Sequence, residues 1–395
     1  MDLYLQIGHG MMSLTKDLLT EWGTGTVILS PRDLTEKQSV KFSDEIKKRN
    51  GKTLFDPQYY NPHADHKKLT EWRHWFNQYE TSLLYENDYI SNLFNEIKSI
   101  NDNTQTDAYI IPGILCDNID RHWLNPQQLF LDNASKYFTD KEKYATLALE
   151  ESLITDENSI EKLIQVTSEW DVDGYYIVPE GEYLTNENSW LANLTLLVAG
   201  LKLQNKKVIV GYSNHQMLLL SCANVDAIAS GTFLNIRHFS TDKFDEADAD
   251  SQSRRATWFY CPQALSEYRL RTLDLAFKKP SKVLSLLKPY GESGKYSSVL
   301  FKGVTPSSTD YKDTLSFKHY LDTLKKQCLL STKDTFQNTI EFQEEIADNA
   351  YKFIKETREL GVRENGRNFL NIYDSYKEAI VILKKERGTL LKRHW

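Results

Sequence analysis

Three carboxylates follow runs that read as buried strands: Asp56 after TLF (53–55), Glu150 after ATLAL (145–149) and Glu180 after GYYIV (174–178). A pair of carboxyl groups across one pocket can serve a glycosidic bond as acid and nucleophile, or as acid and base, depending on their separation. Of Glu150 and its neighbour Glu151, side-chain alternation lets only one point inward. Other polar residues end other apolar runs: His9, Arg32, Gln58, Tyr212, Asn214, His215, Ser230, Asn235 and Arg237. A guanidinium is always charged and forks toward paired oxygens, so Arg32 and Arg237 are expected on phosphate. Tyr212 or Tyr260 would stack on a base, and Asp56 and Gln58 would reach a base edge or a sugar hydroxyl. Plainer roles compete. His9 sits between two glycines and could simply bond a carbonyl, and Asp33 in SPRDL is placed to cap a helix over TEKQSVKF.

The loop DPQYYNPHADHKKL also holds His63, Asp65 and His66, but H-x-x-H in a Pro- and Asn-rich loop is not the helical pair of a zinc protease. Cys116, Cys222, Cys261 and Cys328 are far apart and form no C-x-x-C pair, so no zinc ribbon or disulfide framework is expected. No GxGxxG or GxxxxGK(S/T) follows a strand. The reading is therefore of a chain with no metal and no cofactor.

These candidates need a scaffold that brings strand ends together. Eight short runs alternate with helix-period segments: 3–7, 26–30, 53–55, 108–112, 145–149, 174–178, 208–211 and 226–230. Ile160, Leu163, Ile164 and Thr167, and again Trp190, Leu194, Leu197 and Leu201, recur at three- and four-residue steps, giving each helix one stripe to lay on a sheet. A doubly wound open sheet shares this alternation, but eight strands is the number that closes a barrel. The expected fold is α/β, a (β/α)8 TIM-like barrel over 1–280, whose inward-facing residues meet at the C-terminal strand ends.

Two stretches depart from the repeat. Residues 56–107 are too long for one crossover helix, and 238–257, acidic and then basic, read as a mobile loop at the mouth. CPQALSEYRLRTLDLAF (261–277) reads as the closing helix. Residues 281–309 read as a linker and 310–395 as a helical appendage ending in a basic run with Lys384, Lys385, Arg387, Lys392 and Arg393. Alone, that run reads as a solvated helix face.

Residues 172–181, VDGYYIVPEG, with 206–237, KKVIVGYSNHQMLLLSCANVDAIASGTFLNIR, resemble the late β/α units of the tRNA-guanine transglycosylase superfamily. The resemblance implies a barrel with a nucleoside-sized pocket and a face for nucleic acid. It departs from that pattern twice. Laying VDAIAS on the strand that carries the family's aspartate nucleophile puts Ala229 there, and the family's Cys-x-Cys-x-x-Cys and His zinc site is missing.

The formal charge of −7 provides no global attraction to polyanions, so any such contact must be local. LTLLVAGLKL (194–203) is too short to span a bilayer, and MDLYLQIGHG enters a strand without a signal pattern, so a cytoplasmic location with no membrane partner is expected. Expected partners are nucleic acid (DNA or tRNA) or a nucleotide, and a protein docking on the C-terminal helices. Three functions fit: a transglycosylase-like enzyme acting on a nucleoside or nucleic-acid base, a non-catalytic binding subunit of a nucleic-acid modification or antiviral defence assembly, or a small-molecule barrel enzyme with no nucleic-acid link.

Overall fold

All eight strands form in the computed structural model, which describes residues 1–76, 79–244, 256–277, 294–300, 302, 305–363 and 366–395. They are Asp2–Gln6 (β1), Gly25–Leu29 (β2), Gly51–Phe55 (β3), Tyr109–Ile111 (β4), Lys143–Leu149 (β5), Gly174–Pro179 (β6), Lys207–Val210 (β7) and Ala227–Ser230 (β8). The ladder runs β3-β2-β1-β8-β7-β6-β5-β4, and every pairing is parallel. Its end strands approach where the Asp107 N–H donates to the Thr53 carbonyl at 2.8 Å and the Thr53 N–H donates to the Asp107 carboxylate at 2.7 Å. The sheet is thus a nearly closed (β/α)8 barrel. Strands β2, β6 and β8 are buried at every residue, because side chains fill the barrel on one face and helices cover the other.

Local chemistry fixes the helices. The helix Glu36–Lys47 starts on a capping box, Thr35 with Gln38, and Glu157–Thr167 starts on the Asp156 carboxylate. Asp33 is therefore not the cap: its carboxylate instead accepts from the Ser30 hydroxyl at 3.0 Å. The helix Asn188–Leu203 carries no single apolar stripe, being buried from Trp190 through Leu201. The C-terminal helix Tyr373–Glu386 packs against it, while the barrel takes its other side. Among the described residues no helix is long and apolar enough to cross a membrane.

Two local expectations need correction. Residues His215–Ala223 wind as a 3-10 helix, between Asn214 as N-cap and Asn224 as a left-handed C-cap. The segment from Cys261 is not one closing helix. Trp258–Cys261 (β9) and Ser266–Arg269 (β10) form an antiparallel hairpin, and only Leu270–Phe277 is helical. Leu265, at φ 44°, makes the turn. Most of the expected loop 238–257 and linker 281–309 lies outside the described residues.

The tail is helical, in Asp313–Ser331, Phe336–Glu359, Tyr373–Glu386 and Gly388–His394. Part of its basic run is paired: Lys384 with Glu344 at 3.2 Å, Lys385 with Glu386 at 3.0 Å, and Arg387 with Glu161 of the barrel. Exposed pairs of this kind contribute little to stability.

Candidate functional site

The centre of the barrel mouth is occupied by one carboxylate and the groups that hold it. Asp56, directly after β3, is fully buried. Its Oδ2 accepts from the Tyr60 hydroxyl at 2.5 Å and the Tyr176 hydroxyl at 3.2 Å, and its Oδ1 accepts from the Gln58 N–H at 2.9 Å. Gln6, the last residue of β1, donates its amide to Tyr176 at 2.8 Å and accepts from the Tyr212 N–H at 3.2 Å. Gln58 donates to the Tyr212 hydroxyl at 2.8 Å and accepts from the Arg32 N–H at 3.0 Å. Burial pushes the Asp56 carboxyl up to about 6, although its hydrogen bonds and a nearby lysine oppose that rise.

That lysine is Lys243. Its amine is buried without a hydrogen-bond partner and lies against aromatic faces, 3.1 Å from the Tyr212 ring centroid and 4.5 Å from that of Phe239. Burial, reinforced by Arg32, pushes its pKa well below the usual lysine range. A desolvated amine whose charged form is disfavoured can take a proton or attack a carbon. An amine so placed also costs stability, so Lys243→Met is expected to raise the unfolding free energy by about 1–3 kcal/mol, read from the urea midpoint.

Residues 239–244 form a strap over Asp56. Phe239 and Phe244 meet Tyr60 edge-on, at 5.4 Å and 5.7 Å. Two residues fasten the strap. Glu180 accepts from both the N–H and the hydroxyl of Thr241, each at 3.2 Å, and the Arg32 guanidinium donates to the Lys243 carbonyl. Gln58 (φ 54°) and Tyr212 (φ 51°) adopt the left-handed backbone conformation that bulky residues avoid. Such conformations cost about 1–3 kcal/mol each and cluster at functional sites.

The remaining candidates divide between the rim and the packing. His9, Arg32 and Asn235 line an open cavity of about 500 Å³ at the mouth, with Asp33, His66 and Lys68. Glu150 stays half-buried on the rim, its pKa raised by burial and by the nearby Asp117 and Glu180 carboxylates. Asn214 is committed to its cap and to the Arg237 carbonyl at 3.2 Å. Ser230 is fully buried at the end of β8. Ala229, where the resemblance would place a nucleophile, is a buried wall residue paired with Tyr4. His215 is buried and held near pKa 4 by desolvation, with Tyr183 and Tyr260 rings around it. Tyr260 itself is buried, between His215 and Tyr320, and donates to Gln327 at 2.9 Å.

Arg237 is buried and its guanidinium lies 3.4 Å from the Tyr320 ring centroid. It donates to the Gly231 carbonyl at 3.0 Å and to Glu267 at 3.2 Å. Glu267 also accepts from Arg367 at 3.2 Å and from the Tyr183 hydroxyl. Burial would raise the Glu267 carboxyl, but the two guanidiniums outweigh it and hold the pKa low. Gly231 is required by close approach, since a Cβ there would fall 2.4 Å from Ile236 and 2.8 Å from the Gln6 carbonyl. Gln6, Tyr60, Tyr176, Lys243, Glu267 and Arg367 had not been singled out from the sequence. Period-two alternation along β1 and β6 was the one available signal, and it applied only to Gln6 and Tyr176.

The fold and its mouth define the chain as a (β/α)8-barrel protein with a buried, hydrogen-bonded carboxylate at its centre. No protein-family model and no curated protein matches it. Among solved structures, a mutant in complex with xylotriose is 11% identical, with TM-score 0.38 over 58% of this chain and 84% of the other. Thiamine phosphate pyrophosphorylase from Pyrococcus furiosus is 9% identical, with TM-score 0.31 over 58% and 85%. Xylanase 10C from Cellvibrio japonicus is 9% identical, with TM-score 0.36 over 58% and 61%. Likeness at this level carries no inference about substrate.

Proposed function

We propose that the protein is an enzyme that hydrolyses or exchanges the glycosidic bond of a nucleoside or of a base in nucleic acid, with Asp56 as its reacting carboxylate. The observation that carries this reading is the Asp56 cluster: a buried carboxyl with pKa about 6, oriented by three hydrogen bonds, beside an unpartnered buried amine. An environment that pushes a carboxyl up and an amine down brings their proton affinities toward each other, as an acid–base pair requires. The ionised Asp56 would stabilise positive charge at the anomeric carbon. Lys243 would accept a proton from the attacking water as the carbon–nitrogen bond breaks; the bonding pair leaves on the base nitrogen, which takes up a proton from solvent entering through the mouth. Substrate would enter from the mouth cavity once the strap is displaced, and the strap would close over it to return Lys243 to its place beside Asp56. Glu180 then acts as the latch, and Arg32 as latch and phosphate contact. The transglycosylase resemblance supports the substrate class, and Asp56 on β3 would replace the carboxylate that Ala229 lacks.

The test is release or exchange of isotope-labelled base from nucleosides, tRNA and single- and double-stranded DNA. Release from at least one substrate is expected, and none from any of them would remove the proposal. The covered mouth favours a second reading, in which a cytoplasmic, non-catalytic subunit binds nucleic acid and docks on a partner through its C-terminal helices. That reading expects salt-dependent binding without base release.

A further inference from the structure

A second cavity, of about 430 Å³, lies beside the mouth, between the end of β8, the β9–β10 hairpin and the start of the helix Asp313–Ser331. Phe233 and Leu234 form a wall shared with the mouth cavity. Three arginines line it, Arg237, Arg269 and Arg367, against two carboxylates, Glu267 and Asp313. Glu267 is shared by Arg237 and Arg367, and Asp313 accepts from Thr257 at 2.8 Å, so positive charge is left over. Arg269 is exposed, with its guanidinium 5.0 Å from the Trp258 ring centroid, while Arg367 stacks on the same ring at 3.8 Å. The helix Asp313–Ser331 starts at the cavity without a side-chain cap, and the Asp313 carboxylate in its first turn offsets the positive end of its dipole. Thr232, only 4% exposed, lines the cavity, and its hydroxyl is closed off from solvent and has no hydrogen-bond partner. An unpartnered buried hydroxyl is costly, and rotation about its Cα–Cβ bond would present it to a ligand.

We infer that this cavity binds a nucleotide, either free or as one unit of a single strand. Its phosphate meets Arg269 and Arg367. Its planar ring lies beside Trp258 and Phe317, and the Thr232 hydroxyl bonds an edge of the ligand. Pockets of about 300–1,000 Å³ take ligands of this size. This site goes beyond the proposed reaction and stands even if the mouth is inert. The shared wall would let a strand pass from one cavity to the other.

The test is calorimetric titration of the full chain with 5′-AMP, adenosine, inorganic phosphate and short single-stranded DNA and RNA, at about 50 and 200 mM salt. AMP or an oligonucleotide is expected to bind more weakly at high salt, with adenosine and phosphate each about tenfold weaker than AMP. Arg269→Ala is expected to weaken binding about tenfold and Thr232→Val about threefold, with the fold intact, since Arg269 is exposed and valine is isosteric with threonine. An oligonucleotide that binds more tightly than AMP identifies a strand, whereas equal affinity identifies a free nucleotide. Three results would overturn the inference: no binding of AMP or oligonucleotide, binding that neither variant alters, or phosphate binding as tightly as AMP.

Discussion

Glu267→Ala lowers the unfolding free energy by about 3–5 kcal/mol, because it strands a buried guanidinium. Arg237 is only 3% exposed and has no second carboxylate partner among the described residues, so loss of Glu267 leaves its charge in a dry site. The same substitution frees Arg367 and the Tyr183 hydroxyl, which joins the β6 end of the barrel to the β9–β10 hairpin. Glu267→Gln keeps an acceptor without the charge and sits between the two. Urea unfolding with an unchanged slope measures the effect. A loss below about 1 kcal/mol would place the Arg237–Glu267 pair among interactions that are only weakly coupled to the fold.

The second large effect belongs to Asp56, where activity and stability respond to pH in opposite senses. The folded carboxyl titrates at about 6, whereas in the unfolded chain it titrates near the ordinary value of about 4. Between these values the folded state holds a proton that the unfolded state has lost, so stability falls as pH rises through the window. By neutral pH that ionisation costs about 3 kcal/mol. Base release, needing the ionised form, rises over the same range with a midpoint near 6. Asp56→Asn flattens the stability slope and lowers the rate by about 10²–10⁴-fold. A stability curve of the same slope in wild type and variant would separate Asp56 from the titration.

The barrel was legible because its strands are buried on both faces and so read as unbroken apolar runs. Arg32, Asp56, Gln58 and Tyr212 were legible as polar residues at strand ends, and the structure brings these four into one network. The sequence signal stopped where local pattern and tertiary contact diverge. Leu265, Tyr268 and Thr272 keep a helix-like spacing, yet the left-handed turn at Leu265 makes a hairpin instead. Lys243 lies in a polar run that suggests solvent, and only the packed rings of Tyr212, Phe239 and Phe244 bury it. Glu267 and Arg367 are separated by 100 positions, a pairing that no periodicity encodes. Tyr260 and Asn214 stand at element ends as a binding residue would, but the fold uses one for packing and the other as a cap.

The central claim is that Asp56, and not a rim carboxylate, reacts. Its most direct test compares base release at pH 7 by Asp56→Asn, Glu150→Gln and Glu180→Gln on the substrate that wild type processes. The account predicts a loss of about 10²–10⁴-fold for Asp56→Asn and less than about tenfold for the other two. Near-wild-type release by Asp56→Asn, or the large loss falling on Glu180→Gln or Glu150→Gln, would contradict it.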